Sequence, residues 1–263
     1  MIPAAYIREW RNNVPWQDSD MVEQDLIICR ALTEIYNNPY LSGNLAFRGG
    51  TALNKLYIHP QPRYSEDIDL VQINPVPIKE TIVAIQKTLS FLGKSEVRQK
   101  ANNNTIVFFK ISSETMPEVI LKMKVEINCR EHFTVLGIQD VKFSLNSSWH
   151  KATCILKTYS VEELLGTKLR ALYQRRKGRD LYDLHKAITL LNPDKALLIK
   201  CYREYMKNSV EKPPTRKQFL RNIEEKILDK EFLGDTKALL RPEEKYIPQE
   251  AWDLIKTELV EKI

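Results

Sequence analysis

A chain of 263 residues, 43% of them hydrophobic, holds enough apolar material for a packed core in one large or two smaller domains, which excludes a disordered protein. Its formal net charge of +6 favours polyanionic partners. Cys29, Cys129, Cys154 and Cys201 are scattered without a Cys-x-x-Cys pair and the four histidines are equally dispersed, which excludes a zinc-finger-type site and reads as reduced thiols. The segment MIPAAYIREWRNN has no apolar core of the signal-peptide kind, and no run approaches the roughly 18 apolar residues of a membrane span. The expected location is therefore the cytoplasm, with no membrane partner.

The predicted elements begin with a helix over residues 20–37, carried by Met21, Leu26, Ile28, Leu32 and Ile35 and ended by Asn37-Asn38-Pro39. Leu45 to Phe47 is a short strand that runs into Arg48-Gly49-Gly50-Thr51, and a short helix follows from Ala52 to Tyr57. A second strand spans Ile68 to Val71. Apolar positions at Ile78, Ile82, Ile85, Leu89 and Leu92 predict a helix over 77–92. Three strands follow, Ser95 to Lys100, Thr105 to Ile111 and Glu118 to Asn128, with the turn Asn102-Asn103-Asn104 joining the first two. In the third, Leu121, Met123, Val125 and Ile127 face one way, and Lys122, Lys124, Glu126 and Asn128 the other. From Ser160 the pattern is helical. Ser160 with Glu163 is a capping-box signature, one helix runs to about Arg176, and a second runs from about Arg179 to Leu191. The outline is an α+β part over 1–157 followed by a helical part over 158–263.

Arg63-Tyr64-Ser65-Glu66-Asp67-Ile68-Asp69-Leu70 carries the strongest local signal. Aspartate is depleted in strands, and at i and i+2 both side chains leave one face while Ile68 and Leu70 point to the core. Two adjacent carboxylates repel unless a cation neutralises them, and Mg²⁺ takes hard oxygen ligands together with substrate phosphates. The alternative is a solvated acidic face in a loop. Glu126, on the polar face of a later strand, is a candidate third carboxylate; its alternative is an ordinary exposed glutamate beside Lys122 and Lys124. In Phe47-Arg48-Gly49-Gly50-Thr51, two glycines allow close backbone approach to a ligand, and the helix N-terminus offers N–H groups to phosphate. The Gly-Lys-Ser/Thr ending of a P-loop is missing, and a purely structural turn is the competing reading.

Lys168 falls within the apolar stripe of its helix, at helical spacing from Leu164, Leu165 and Leu172. A lysine there needs a partner, which a phosphate, Asp180 or Asp183 would supply, or else it snorkels to the rim. Arg175, Arg176, Lys177 and Arg179 form a cationic turn suited either to RNA or triphosphate, or to stabilising a helix end. Asp180 opens the next helix, where capping is the plain reading.

Taken in order, Phe-Arg-Gly-Gly-Thr-Ala-Leu-x-Lys at 47–55, Arg63 to Leu70, and the blocks between Thr158 and Leu184 resemble the AbiEii/AbiGii toxin family of nucleotidyltransferases. The resemblance spans about 45–190. It implies a polymerase-β-like core with a mixed sheet flanked by helices, then a helical domain. It implies that Arg48, Gly49, Gly50, Thr51 and Ser65 line the nucleotide, with Lys168 on its phosphates. Asp67 and Asp69 would hold Mg²⁺ or Mn²⁺ with Glu126 third, and Asp180 would orient or deprotonate the attacking hydroxyl. It further implies transfer of a nucleoside monophosphate from a nucleoside triphosphate to RNA (some relatives modify tRNA 3′ ends), and a toxin–antitoxin or phage-defence setting with a cognate antitoxin. Small-molecule transferases, γ-phosphate phosphotransferases and a non-catalytic RNA-binding scaffold are the competing functions. A phosphate or nucleotide on Ser65, two residues before Asp67, would crowd the metal site.

Overall fold

A computed structural model describes residues 2–100, 104–114 and 119–263, and the chain divides into two compact units. The first unit ends at Tyr159 and omits residues 134–137, which belong to the second. It runs α1 (Ala4–Trp10), α2 (Ser19–Asn37), α3 (Pro39–Asn44), β1 (Leu45–Arg48), α4 (Gly49–Leu56), β2 (Ile68–Gln72), α5 (Ile78–Thr88), β3 (Ser95–Gln99), β4 (Thr105–Ser112), β5 (Ile120–Asn128), β6 (Ile138–Asn146) and β7 (Lys151–Tyr159). Among the described residues these strands make one mixed sheet in the order β3-β4-β5-β2-β1-β7-β6. The α+β organisation expected from the sequence is the one observed. Asn102 and Asn103 of the expected hairpin turn, and Glu118 at the expected start of the third strand, lie outside the described residues.

Asn38 ends α2 and starts α3 in one step. Its side-chain oxygen accepts from the N–H groups of Tyr40 (3.0 Å) and Leu41 (3.2 Å), with Pro39 preset for the first helical turn. The alternation in β5 is real: Leu121, Met123, Val125 and Ile127 are buried, together with Val107 and Phe109 of β4 and Ile68 and Leu70 of β2. The predicted helix over 77–92 stops earlier, at Thr88, and gives way to a single tighter turn at Ser90–Leu92 before Gly93. The strands β6 and β7 had no counterpart among the predicted elements. In β6, Val141, Phe143 and Leu145 alternate with exposed Lys142, Ser144 and Asn146, a period the sequence reading passed over; in β7, exposed Ile155 and buried Thr158 break the alternation.

The densest polar contact in this unit joins α2 to α4. Lys55 donates to Asp25 at 2.7 Å, and both side chains are 2% exposed. The indole N–H groups of Trp10 and Trp16 also donate to Asp25, each at 3.2 Å, and the Cys29 thiol lies 3.6 Å from it. Burial alone would discharge Lys55, but the Asp25 carboxylate outweighs it and holds the lysine pKa above its ordinary value. Burial pushes the Cys29 thiol up to about 12.

The second unit runs α6 (Val161–Gln174), α7 (Gly178–Leu191), α8 (Lys195–Lys207), α9 (Arg216–Ile227), α10 (Lys230–Gly234) and α11 (Pro248–Glu258). Only half of the expected capping box forms at α6. The Ser160 hydroxyl accepts from Glu163 N–H, but the Glu163 carboxylate accepts from Thr134, Val135 and Leu136 and from the Tyr205 hydroxyl instead. A full box stands unforeseen at Thr215 and Gln218. At the other end of α6, the ammonium of buried Lys226 donates to the carbonyls of Leu172 (2.6 Å) and Tyr173 (2.7 Å).

Two stability effects are expected. Asp25→Ala leaves Lys55 charged and buried, and should cost about 3–5 kcal/mol in denaturant unfolding; a loss under about 1 kcal/mol would mean the pair is dispensable. Lys226 has its pKa lowered to about 8 by burial, from the ordinary 10.5. Between these values the unfolded chain binds more protons than the folded one, so stability rises with pH there and this contribution is flat below. Unfolding of the wild type and of Lys226→Met across that window should show the rise in the wild type alone.

Candidate active site

The sheet itself assembles the acidic site. Asp69 pairs in register with Arg48 of β1 on one side and with Glu126 of parallel β5 on the other, so the three side chains line one face of the sheet. Asp67 sits just ahead of β2 rather than within it, because the strand begins at Ile68. Glu126, the candidate third carboxylate, thus stands beside Asp69 on the neighbouring strand.

The glycines are the first turn of α4, not a loop before it. Gly49 has φ +82°, and a Cβ there would lie 2.2 Å from Asp69 Oδ2. Only glycine fits on both counts. The backbone of the turn therefore rests directly against the Asp69 carboxylate. Thr51 ties the same two segments together, its hydroxyl donating to the Asp67 carbonyl at 2.7 Å. Asn54 secures the turn from within the helix by donating to the Gly50 carbonyl at 2.8 Å.

Around these groups the charges are matched. Lys124 Nζ lies 3.4 Å from Asp67, and Lys100 Nζ lies 2.7 Å from Glu126, which also accepts from Asn104 at 3.2 Å. Arg48 pairs with Glu131, a residue the sequence reading passed over; its N–H is held, with that of Arg130, by the Asn128 side chain at 3.0 Å. The signal for Glu131 was slight, because only the register that carries β5 past Asp69 brings it near Arg48. Ser65 is buried and its hydroxyl accepts from Arg63 at 3.0 Å.

The donor set can be tested against Mg²⁺ from these distances. Among the described residues, no three His, Cys, Asp or Glu side chains gather closely enough to hold an ion unaided. Mg²⁺ does not ask for that: it binds through one or two carboxylates plus substrate phosphates and water. Asp67 and Asp69 are carboxylates of that kind, and Asp67 would first have to release Lys124. Glu126 would first have to release Lys100.

Within the second unit, Lys168 finds its partners in protein carboxylates, Asp180 at 3.1 Å and Asp183 at 2.9 Å. Asp180 is fully buried and also takes Arg175 at 2.7 Å. Burial would raise its pKa, but Lys168 and Arg175 outweigh it and hold the carboxyl below its ordinary value. Asp180 stands in the first turn of α7, past the cap itself, and a carboxylate bound to two cations is suited to positioning rather than to proton abstraction. The cationic turn is likewise engaged. Arg176 pairs with Asp229 at 2.9 Å, and Lys177 and Arg179 pair with Asp235 at 3.2 and 3.7 Å. Gly178 is pressed against the α10 backbone, where a Cβ would meet the Phe232 carbonyl at 2.1 Å. The turn is thus a clamp on α10 before it is anything else.

Residues 30–257 match the family described as nucleotidyl transferase AbiEii toxin of type IV toxin–antitoxin systems. No curated protein sequence matches the chain. Among solved structures, the nucleotidyltransferase toxin MenT4 of Mycobacterium tuberculosis superposes with a TM-score of 0.67 at 14% identity, over 100% of this chain and 91% of that one. JHP933 from Helicobacter pylori superposes with a TM-score of 0.58 at 14% identity, over 92% of this chain and 91% of that one. A putative nucleotidyltransferase from H. pylori follows at 0.55 and 14%, over 92% and 94%. At such identities the structures speak for the fold, while the family match, which runs from within α2 almost to the end of α11, speaks for the activity: the chain belongs to the AbiEii family of nucleotidyltransferase toxins of type IV toxin–antitoxin systems.

Proposed function

We propose that this nucleotidyltransferase moves a nucleoside monophosphate from a nucleoside triphosphate to a hydroxyl at the 3′ end of RNA, with tRNA as the foremost acceptor, and that it depends on Mg²⁺ or Mn²⁺. The observation that carries this reading is the contact of the Gly49–Thr51 turn with Asp67 and with Asp69 of β2. It sets helix N–H donors for phosphate beside carboxylates for a cation. Mg²⁺ held by Asp67 and Asp69, with Glu126 as a third ligand, would offset charge on the triphosphate.

The remaining work belongs to the chain's own groups. The turn at Gly49, Gly50 and Thr51 holds the phosphates in place, with Arg48 and Ser65 at its margins. The acceptor oxygen forms a bond to the α-phosphorus, the bond to the bridging oxygen breaks, pyrophosphate leaves and the hydroxyl proton passes to solvent. Catalysis is then mainly alignment and charge neutralisation. In the second unit, Asp180 and Asp183 hold the Lys168 ammonium. The family setting implies a cognate antitoxin, and the toxic effect would follow from RNA ends blocked by added nucleotides.

Incubation with α-labelled nucleoside triphosphate, total bacterial tRNA and Mg²⁺ should put label on tRNA. Asp69→Asn should lower that rate by about 100-fold or more while leaving circular dichroism unchanged, and chelation of the metal should do the same reversibly. Label moving only from the γ-position, or onto a small molecule alone, would sink the RNA nucleotidyltransferase reading. Gly49→Ala must either bend its backbone or displace Asp69, so transfer should fall at least about tenfold with a stability loss of about 1–3 kcal/mol; an alanine variant of wild-type rate would show that the close approach is not needed.

A further inference from the structure

The open face of β3, β4 and β5 lies beside the acidic pair, and its composition is unusual for a solvated surface. Register places Glu96, Phe108 and Lys124 in one row across the three strands, and Arg98, Ile106 and Glu126 in the next. Lys110 stands directly opposite Lys122. The other face of these strands is packed core, with Val107, Phe109, Leu121, Met123 and Val125 buried; on this face Phe108 is covered and the charged side chains reach solvent. Arg98, Lys100, Lys110 and Lys124 keep 62%, 44%, 55% and 41% of their side-chain surface.

One of these features costs stability if it serves nothing. Like charges set opposite each other on a ladder repel. Lys110 and Lys122 are so placed, and Glu96, the acidic side chain at the β3 edge of this face, lies 3.1 Å from Lys110. The guanidinium of Arg98 lies over the Phe108 ring, 5.3 Å from its centroid, and pairs with Glu96 at 2.9 Å, while its side chain stays exposed. A planar cation backed by an aromatic ring offers a base a surface to stack on. Cations spaced along a sheet with a stacking platform among them match the chemistry of a single-stranded phosphodiester chain. Inter-strand spacing puts the β3 edge about 14 Å from β2, so such a chain would cross the face and bring its end to Asp67 and Asp69.

We propose that the face bearing Arg98, Lys110, Lys122 and Lys124 is the track along which a single-stranded RNA 3′ end is led to the acidic site, with phosphates on the lysines and a base on Arg98. This rests on the reading that RNA is the acceptor, but binding tests it without transfer. The probe is a labelled single-stranded oligoribonucleotide of about 12 nucleotides, titrated without nucleotide into the full-length protein and into Lys122→Glu over a range of salt.

Lys122→Glu turns a repelling pair into an attracting one, so its Tm should hold or rise. Its RNA affinity should nonetheless fall by about tenfold, and the slope of log affinity against log salt should shrink by about 0.7 for each phosphate no longer neutralised. Arg98→Ala should weaken RNA binding while nucleoside triphosphate binding stays at the wild-type level. Unchanged affinity and slope in Lys122→Glu would overturn the track, as would polyglutamate binding the wild type as tightly as RNA does, which would mark a surface for an acidic protein. A wild type that binds the oligoribonucleotide in this way yet labels only non-RNA acceptors would instead fault the proposed acceptor and leave the track standing.

Discussion

The first unit depends on how closely a helix start can approach a strand. Antiparallel pairing of β1 and β2 sets Arg48 opposite Asp69, and the chain must turn into α4 in the next residue. A side chain at 49 would occupy the space of the Asp69 carboxylate, so glycine is what lets strand pairing, helix start and acidic residue coexist. Thr51 and Asn54 then fix the turn from either side, through Asp67 and Gly50. The arrangement is rigid because each contact is made by backbone or by a buried short side chain.

Behind that turn stands the ion pair of Lys55 and Asp25. It reaches the site only through α4, and it shows why charge is kept in a core that could have been apolar. An ion pair, two indole N–H groups and a thiol satisfy one carboxylate from several directions, which fixes the azimuth of α4 on α2. An apolar contact of equal area would hold the helix but leave its rotation looser.

Much of this was legible in the sequence. The Asp67–Asp69 spacing, the alternation of β5 and the glycine pair are local patterns, and the alternation put Glu126 on the polar face of its strand; that this face stands beside Asp69 is set by the pairing of β2 with β5. What was not legible is non-local. The partner of Lys55 lies 30 residues away on another helix, and Glu131 meets Arg48 only through sheet register; for Lys168 the sequence named Asp180 and Asp183 beside a phosphate as partners, and both aspartates claim it. The strand β7 escaped notice because its exposed face carries Ile155 and its buried face Thr158, which blur a period of two, while the alternation of β6 was passed over. The cationic turn left two readings open: its charges were plain, but the carboxylates that answer them, Asp229 and Asp235, lie some 50 residues on.

Cys29 carries the consequence of that interior ion pair into a different domain of chemistry. Its sulfur is buried between Lys55 and Asp25 and its proton is held well beyond the ordinary thiol range. The nucleophile is the thiolate, so this cysteine is inert to alkylating agents and peroxide while α2 and α4 stay together. Any reagent it consumes is a timestamp of their separation, and the chain thus contains its own reporter for the opening of the helix that carries the glycine turn.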